Sequence, residues 1–219
     1  MCNLYRLETS QQAMRRLFAV TEDRLGNLPL LDGIYPDQQA PVIHVSNGAR
    51  VAVMMRWGLP PPAGVKRPVT NVRNLDSPFW RSLLARPAQR CLVPATAFCE
   101  YEGETGSKQK RWFRVRGGTP DGLFAFAGLW RDWEGVRGKE SGSFRLFSIL
   151  TTAPNALVEP IHRQAMPVIL DGPAAWTGWL TASWEEARTL VRPLPAHQMT
   201  VDPPEQPESP RELPLFGGG

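Results

Sequence analysis

From residue 90 to residue 170 the chain is a succession of short apolar runs rich in Val, Phe, Trp and Thr. They are Arg90–Val93, Ala97–Tyr101, Arg111–Arg116, Leu123–Trp133, Phe144–Thr152 and Pro167–Leu170. Each has the length of a strand, and no segment of helical period separates them, so βαβ alternation is excluded here. An earlier pair of runs, Pro41–Val45 and Arg50–Trp57, flanks Asn47-Gly48, a dipeptide that accepts positive φ and marks a hairpin. So many short strands must curl or cover their edges. The expected fold is therefore α+β, a single domain built on a strongly bent or barrel-like antiparallel sheet.

Helices are expected only at the periphery. Thr9-x-x-Gln12 reads as a capping box ahead of Met14, Leu17 and Phe18, and this first helix should end before Gly26. Ser77-Pro78 opens a second helix carrying Phe79, Trp80, Leu83 and Leu84. Pro173–Leu180 and a segment capped by Ser183-x-x-Glu186 supply two more. The stretches Glu102–Lys110 and Glu134–Gly142 read as exposed hairpin ends, and Gly58–Pro68 as an irregular loop. The domain is expected to span residues 1–200, with 201–219 a loosely ordered tail rich in Pro and Glu.

Charge narrows the partner. The net charge of +4 is modest, but basic residues crowd between Arg56 and Arg116, with Trp57, Trp80 and Trp112 among them. A basic, aromatic stretch suits a groove for single-stranded nucleic acid as well as it suits a solvated face. No apolar run reaches bilayer-spanning length and no signal peptide is evident, so a cytoplasmic monomer away from membranes is expected. Cys2, Cys91 and Cys99 lack metal-site spacing, and there is no P-loop or dinucleotide motif. Neither a metal nor a cofactor is expected.

Cys2 stands out chemically. Once Met1 is removed it carries an α-amine, which titrates at about 7.7–8.0, beside a thiol at about 8.5. Such a 1,2-aminothiol attacks acyl centres through sulfur, or condenses with an aldehyde to an imine that the sulfur closes into a thiazolidine. Glu100 interrupts an apolar run, where burial would raise its pKa into the range of a general acid. His162 lies in a polar loop between two apolar runs, whereas His44 and His197 read as structural or exposed. Asn71, after the proline loop, either orients a substrate or ends a turn.

Several segments in order resemble the SOS-response-associated peptidase family of abasic-site processing, DNA–protein crosslinking proteins. They are Met1-Cys2, Trp57-Gly58-Leu59, Asn71-x-Arg73, Cys91–Ala95 leading to Phe98-x-Glu100-Tyr101, and Thr151-Thr152-x-x-Asn155 through His162 to Met166–Leu170. The resemblance implies that the N-terminal cysteine forms a thiazolidine crosslink with abasic sites in single-stranded DNA, by Schiff-base and lyase-type chemistry. It assigns acid–base work to Glu100, proton transfer to His162 and positioning to Asn71. Arg73 and Thr151 match DNA-contacting positions, and Pro36 and Trp57 lie where the family packs bases.

This chain departs from the family's pattern in places. Asn3-Leu4-Tyr5-Arg6 replaces the common Gly-Arg-Phe opening, so Arg6 is the candidate for the missing early arginine. Leu75 stands where a glutamate is frequent, and Arg163-Gln164-Ala165 precedes Met166, leaving Arg163 as the candidate basic contact there. Two other functions stay open at this point: an N-terminal-cysteine peptidase, as the family name suggests, and a non-covalent single-strand binder.

Overall fold

The computed structural model describes residues 2–62, 65, 67–103, 108–117 and 122–204. In chain order its elements begin with β1 (Tyr5–Leu7), α1 (Gln11–Leu17), β2 (Glu22–Asp23), β3 (Leu31–Ile34), β4 (Gln39–Ser46), β5 (Ala49–Trp57) and β6 (Asn71–Val72). Next come α2 (Pro78–Leu84), β7 (Arg90–Ala95), β8 (Ala97–Glu102), β9 (Gln109–Val115), β10 (Phe124–Arg137) and β11 (Glu140–Thr152). The chain closes with β12 (Met166–Pro167), β13 (Ile169–Leu170), α3 (Gly172–Thr181), α4 (Trp184–Arg188) and β14 (Met199–Val201).

The strands β11, β10, β7, β4 and β5 pair in succession, and β5 returns to β11 through Arg56 opposite Leu146 and Trp57 opposite Phe147. That closes a barrel, as the strand count requires. The neighbours within the run are antiparallel, but the closing pair is parallel, as is the pairing of β6 with β11. The antiparallel expectation thus holds for every neighbour within the run, including β4 with β7 and β7 with β10, which no hairpin joins. It gives way at the closure, where the chain between β5 and β11 supplies the long crossover that a parallel partner needs.

A second sheet, in the order β14-β9-β8-β1-β3, is antiparallel and lies against the barrel. Tyr5 of β1 meets Trp57 edge-on at 5.2 Å and Phe126 at 5.6 Å, while Phe98 stacks on Phe113 at 5.0 Å. Both faces of the first half of β10 are buried. Its outer side is covered by α3, whose Trp179 indole N–H donates to the Cys91 carbonyl at 3.0 Å. A Cβ on Gly128 would lie 2.8 Å from Cys91 Sγ and 3.2 Å from the Ser148 carbonyl, so the close approach of β10 to β7 and β11 requires glycine.

Local signals fared unevenly. The Asn47-Gly48 turn has φ of 50° and 79°, the pattern of a tight hairpin, with Ser46 opposite Ala49. Ser183 and Glu186 form the complete capping box. Ser10 rather than Thr9 caps α1, because its hydroxyl accepts from Ala13 N at 3.1 Å. β10 and β11 stay paired to Arg137 and Glu140, so the anticipated loop over 134–142 shrinks to a turn at Gly138. Val201 is the last residue of a strand paired with Phe113, not the start of a tail, and residues 205–219 lie outside the described residues.

Candidate active site

The N-terminal segment is held where the two sheets meet. Cys2 is fully buried and its thiol donates to the Leu4 carbonyl at 3.7 Å. From β6, Asn71 Nδ2 donates to the Cys2 carbonyl at 2.9 Å, and also reaches Thr70 Oγ1 at 2.9 Å. β6 is in place because Asn71 and Val72 pair with Ile149 and Leu150 in the barrel. Asn71 Oδ1 is buried and has no hydrogen-bond partner among the described residues. A buried amide oxygen of this kind is costly unless something is to be bound by it.

Glu100 comes from β8. Strand alternation puts Phe98 and Glu100 on the face turned to the barrel, and Glu100 is 3% exposed. Burial raises its pKa to about 7, with the charge of the amino terminus opposing the shift. The Cys2 thiol is pushed well above the ordinary thiol range, chiefly by burial and next by the Glu100 carboxylate. The two groups therefore share one desolvated pocket.

His162 is delivered by the loop after β11. Asn155 Oδ1 accepts from Leu157 N and Val158 N, both at 3.0 Å, and His162 N donates to the Val158 carbonyl at 2.8 Å, so the loop is wound tightly. His162 Nδ1 lies 2.8 Å from the Ala165 carbonyl; with the proton on Nδ1, Nε2 is the accepting nitrogen. Burial lowers the pKa of this half-buried ring, and the positive charges of the amino terminus and Arg73 lower it further. It is neutral at pH 7. Arg73 is exposed, and Thr151 is buried with its hydroxyl 3.5 Å from the Val72 carbonyl.

The structure places Asn71 and Glu100 against Cys2, and His162 within electrostatic range of the amino terminus. Other candidates are placed differently. Trp57 has no exposed surface: its indole donates to the Thr70 carbonyl at 3.0 Å and its ring packs on Tyr5 and Phe147, so it supports the site from below and offers no face to a base. Arg6 alternates with Tyr5 and so lies on the opposite face of β1 from the pocket, its guanidinium 3.7 Å above Trp112 and its Nε donating to the Asp32 carbonyl at 2.9 Å. Pro36 is half-exposed in a turn and Arg163 is exposed beside His162.

Other participants gave no signal in the sequence. Asp37, at φ 71°, joins Arg56 and the buried Arg137, and Arg137 donates to the Gly58 carbonyl at 2.9 Å, so one carboxylate ties the Pro36 turn to the proline loop. No short motif spans residues so far apart. Tyr5 is fully buried with its hydroxyl lacking a partner among the described residues.

Residues 1–206 match the SOS response associated peptidase (SRAP) family, and the chain belongs to it. It is similar to the abasic site processing protein YoqW of Bacillus subtilis, with 32% identity over 154 residues, covering 66% of this chain and 65% of that one. The abasic site processing protein YoaM of the same organism is 32% identical over 156 residues, covering 66% of this chain and 64% of its own length. This chain thus spans just under two thirds of those relatives. Among solved structures, a Bordetella bronchiseptica protein shares the fold with a TM-score of 0.72 at 24% identity, covering 94% of this chain and 100% of that one. A Bacteroides thetaiotaomicron protein does so with a TM-score of 0.72 at 21% identity, covering 91% and 90%.

Proposed function

We propose that this protein, once Met1 is removed, captures abasic sites in single-stranded DNA by condensing Cys2 with the ring-opened sugar aldehyde. The observation that carries the reading is the hydrogen bond from Asn71 to the Cys2 main chain inside the pocket that Glu100 shares. The relatives named for abasic site processing support it.

The steps follow from the groups. Glu100, with a pKa near 7, is present in both forms at neutral pH. Its acid form protonates the sugar ring oxygen as the ring opens. The Cys2 amine then adds to C1, with Asn71 Oδ1 accepting a hydrogen bond from the amine, and loss of water leaves an imine. Sulfur adds to the imine carbon as the C=N pair moves onto nitrogen, and the Glu100 carboxylate takes the thiol proton and delivers it to that nitrogen. One water is lost overall, and the product is a thiazolidine. His162, neutral at pH 7, moves the second proton in ring opening and in reversal. A cytoplasmic monomer suffices for this chemistry, and no helix among the described residues is long and apolar enough to cross a membrane.

A peptidase would use the Cys2 sulfur as an acyl nucleophile with its own amine as base, and burial next to a carboxylate raises the pKa of that thiol. The two are told apart by mixing the protein with an abasic oligonucleotide and with peptide substrates. The crosslinking reading requires a denaturation-resistant complex that Cys2→Ala abolishes. Peptide turnover abolished by Cys2→Ala, without any DNA adduct, would overturn it.

A further inference from the structure

Beside the reaction centre an open groove of about 320 Å³ is lined by Arg73, Leu75, Thr151, Thr152 and Arg188 among others. Arg73 is exposed, has no hydrogen-bond or ion-pair partner among the described residues, and acts electrostatically on His162. Arg188 enters the same groove from the last turn of α4, a short helix fixed by its capping box and by buried Ala187. Among the described residues its ion pair is with Asp76 at 3.0 Å, and both side chains are more than half exposed, at 54% and 74%. Such a pair contributes little in water, so an incoming anion displaces Asp76 at small cost. Leu75 adds no negative charge. Two guanidiniums and a threonine hydroxyl around an open groove match the planar, multidentate recognition of phosphate.

We infer that Arg188 is a DNA-binding residue, which with Arg73 holds a backbone phosphodiester of the single strand in this groove next to the lesion. The inference rests on the single-stranded DNA reading above and extends it to a residue far along the chain. Arg188 lies in a segment that carried no functional signal in the sequence.

Counterion release provides the test. Each phosphate contact on a single strand contributes about 0.7 to the slope of log affinity against log salt. Binding of a labelled, undamaged oligothymidylate is measured across a salt series for wild type, Arg188→Ala, Arg188→Lys and Asp76→Asn. Arg16→Ala, exposed on α1 outside the groove, is the control. Arg188→Ala should lower the slope by about 0.7 and weaken binding at low salt. Arg188→Lys and Arg16→Ala should keep the wild-type slope, and Asp76→Asn should bind at least as tightly as wild type. An unchanged slope in Arg188→Ala, or an equal loss in Arg188→Lys, overturns the inference while leaving the crosslinking reading intact. Wild type that binds with this slope yet forms no adduct overturns the crosslinking reading and leaves Arg188 in its role. Wild type that binds no single strand overturns both.

Discussion

Asn71 Nδ2 and the Cys2 carbonyl are 2.9 Å apart, although 69 residues separate them in the sequence. The bond fixes the main chain of the proposed nucleophile to a strand that is itself paired into the barrel. Asn71→Ala removes both this donor and the unpartnered Oδ1. Losing a buried hydrogen bond costs about 1–3 kcal/mol, so stability should fall by that amount. Crosslinking should slow by about tenfold to a hundredfold, which single-turnover kinetics at saturating oligonucleotide will show.

Glu100 should leave a signature in stability as well as rate. Its folded pKa, raised by burial to about 7, lies above that of an unfolded carboxylate, so between those values the folded state holds the extra proton. Its contribution is therefore full below the ordinary carboxylate range and lost as pH rises through about 7. The melting temperature of wild type should decline from pH 5 to pH 8, and Glu100→Gln should flatten that decline while slowing adduct formation. A melting profile unaltered by the substitution would remove Glu100 from the buried pocket.

Tyr5 carries a hydroxyl with no partner among the described residues, in a fully buried position between Trp57 and Phe126. Tyr5→Phe keeps the ring and relieves the desolvated group, so it should stabilise the fold by about 1 kcal/mol. Chemical denaturation would register this as a higher midpoint with an unchanged slope.

Trp57 tests the distinction between support and contact. Since the side chain is fully buried, Trp57→Ala should cost about 3–5 kcal/mol of stability, and Trp57→Phe much less. If Trp57 only supports the site, the folded Trp57→Phe variant binds undamaged single-stranded DNA as wild type does. A clear loss of affinity in that folded variant would restore Trp57 as a base contact.

Local patterns were readable where one short segment decides the outcome. Asn47-Gly48 fixes its own turn, Ser183 and Glu186 satisfy one another, and alternation along β8 sends Phe98 and Glu100 to one face. Other features depend on contacts that no window of sequence contains. The parallel closure of β5 on β11 joins residues 56 and 146, and Asp37 reaches Arg137 across 100 residues. Arg6 is a candidate through the family resemblance and its charge, and its alternation with Tyr5 turns it to the outer face, onto Trp112. Trp57 is fully buried, and an aromatic among basic residues has the same composition whether it faces bases or the core.

The central claim is that the amine and thiol of Cys2 act together on an aldehyde, and intact-mass spectrometry tests it most directly. The purified protein is weighed alone, then after incubation with an abasic single-stranded oligonucleotide and denaturation. The account predicts a chain lacking Met1 and, after incubation, a heat-stable species equal to that chain plus the oligonucleotide minus one water. It also predicts that Cys2→Ala gives no such species. A protein that retains Met1 yet crosslinks, a Cys2→Ala variant that forms the same stable species, or a Met1-free wild type that forms none would contradict it.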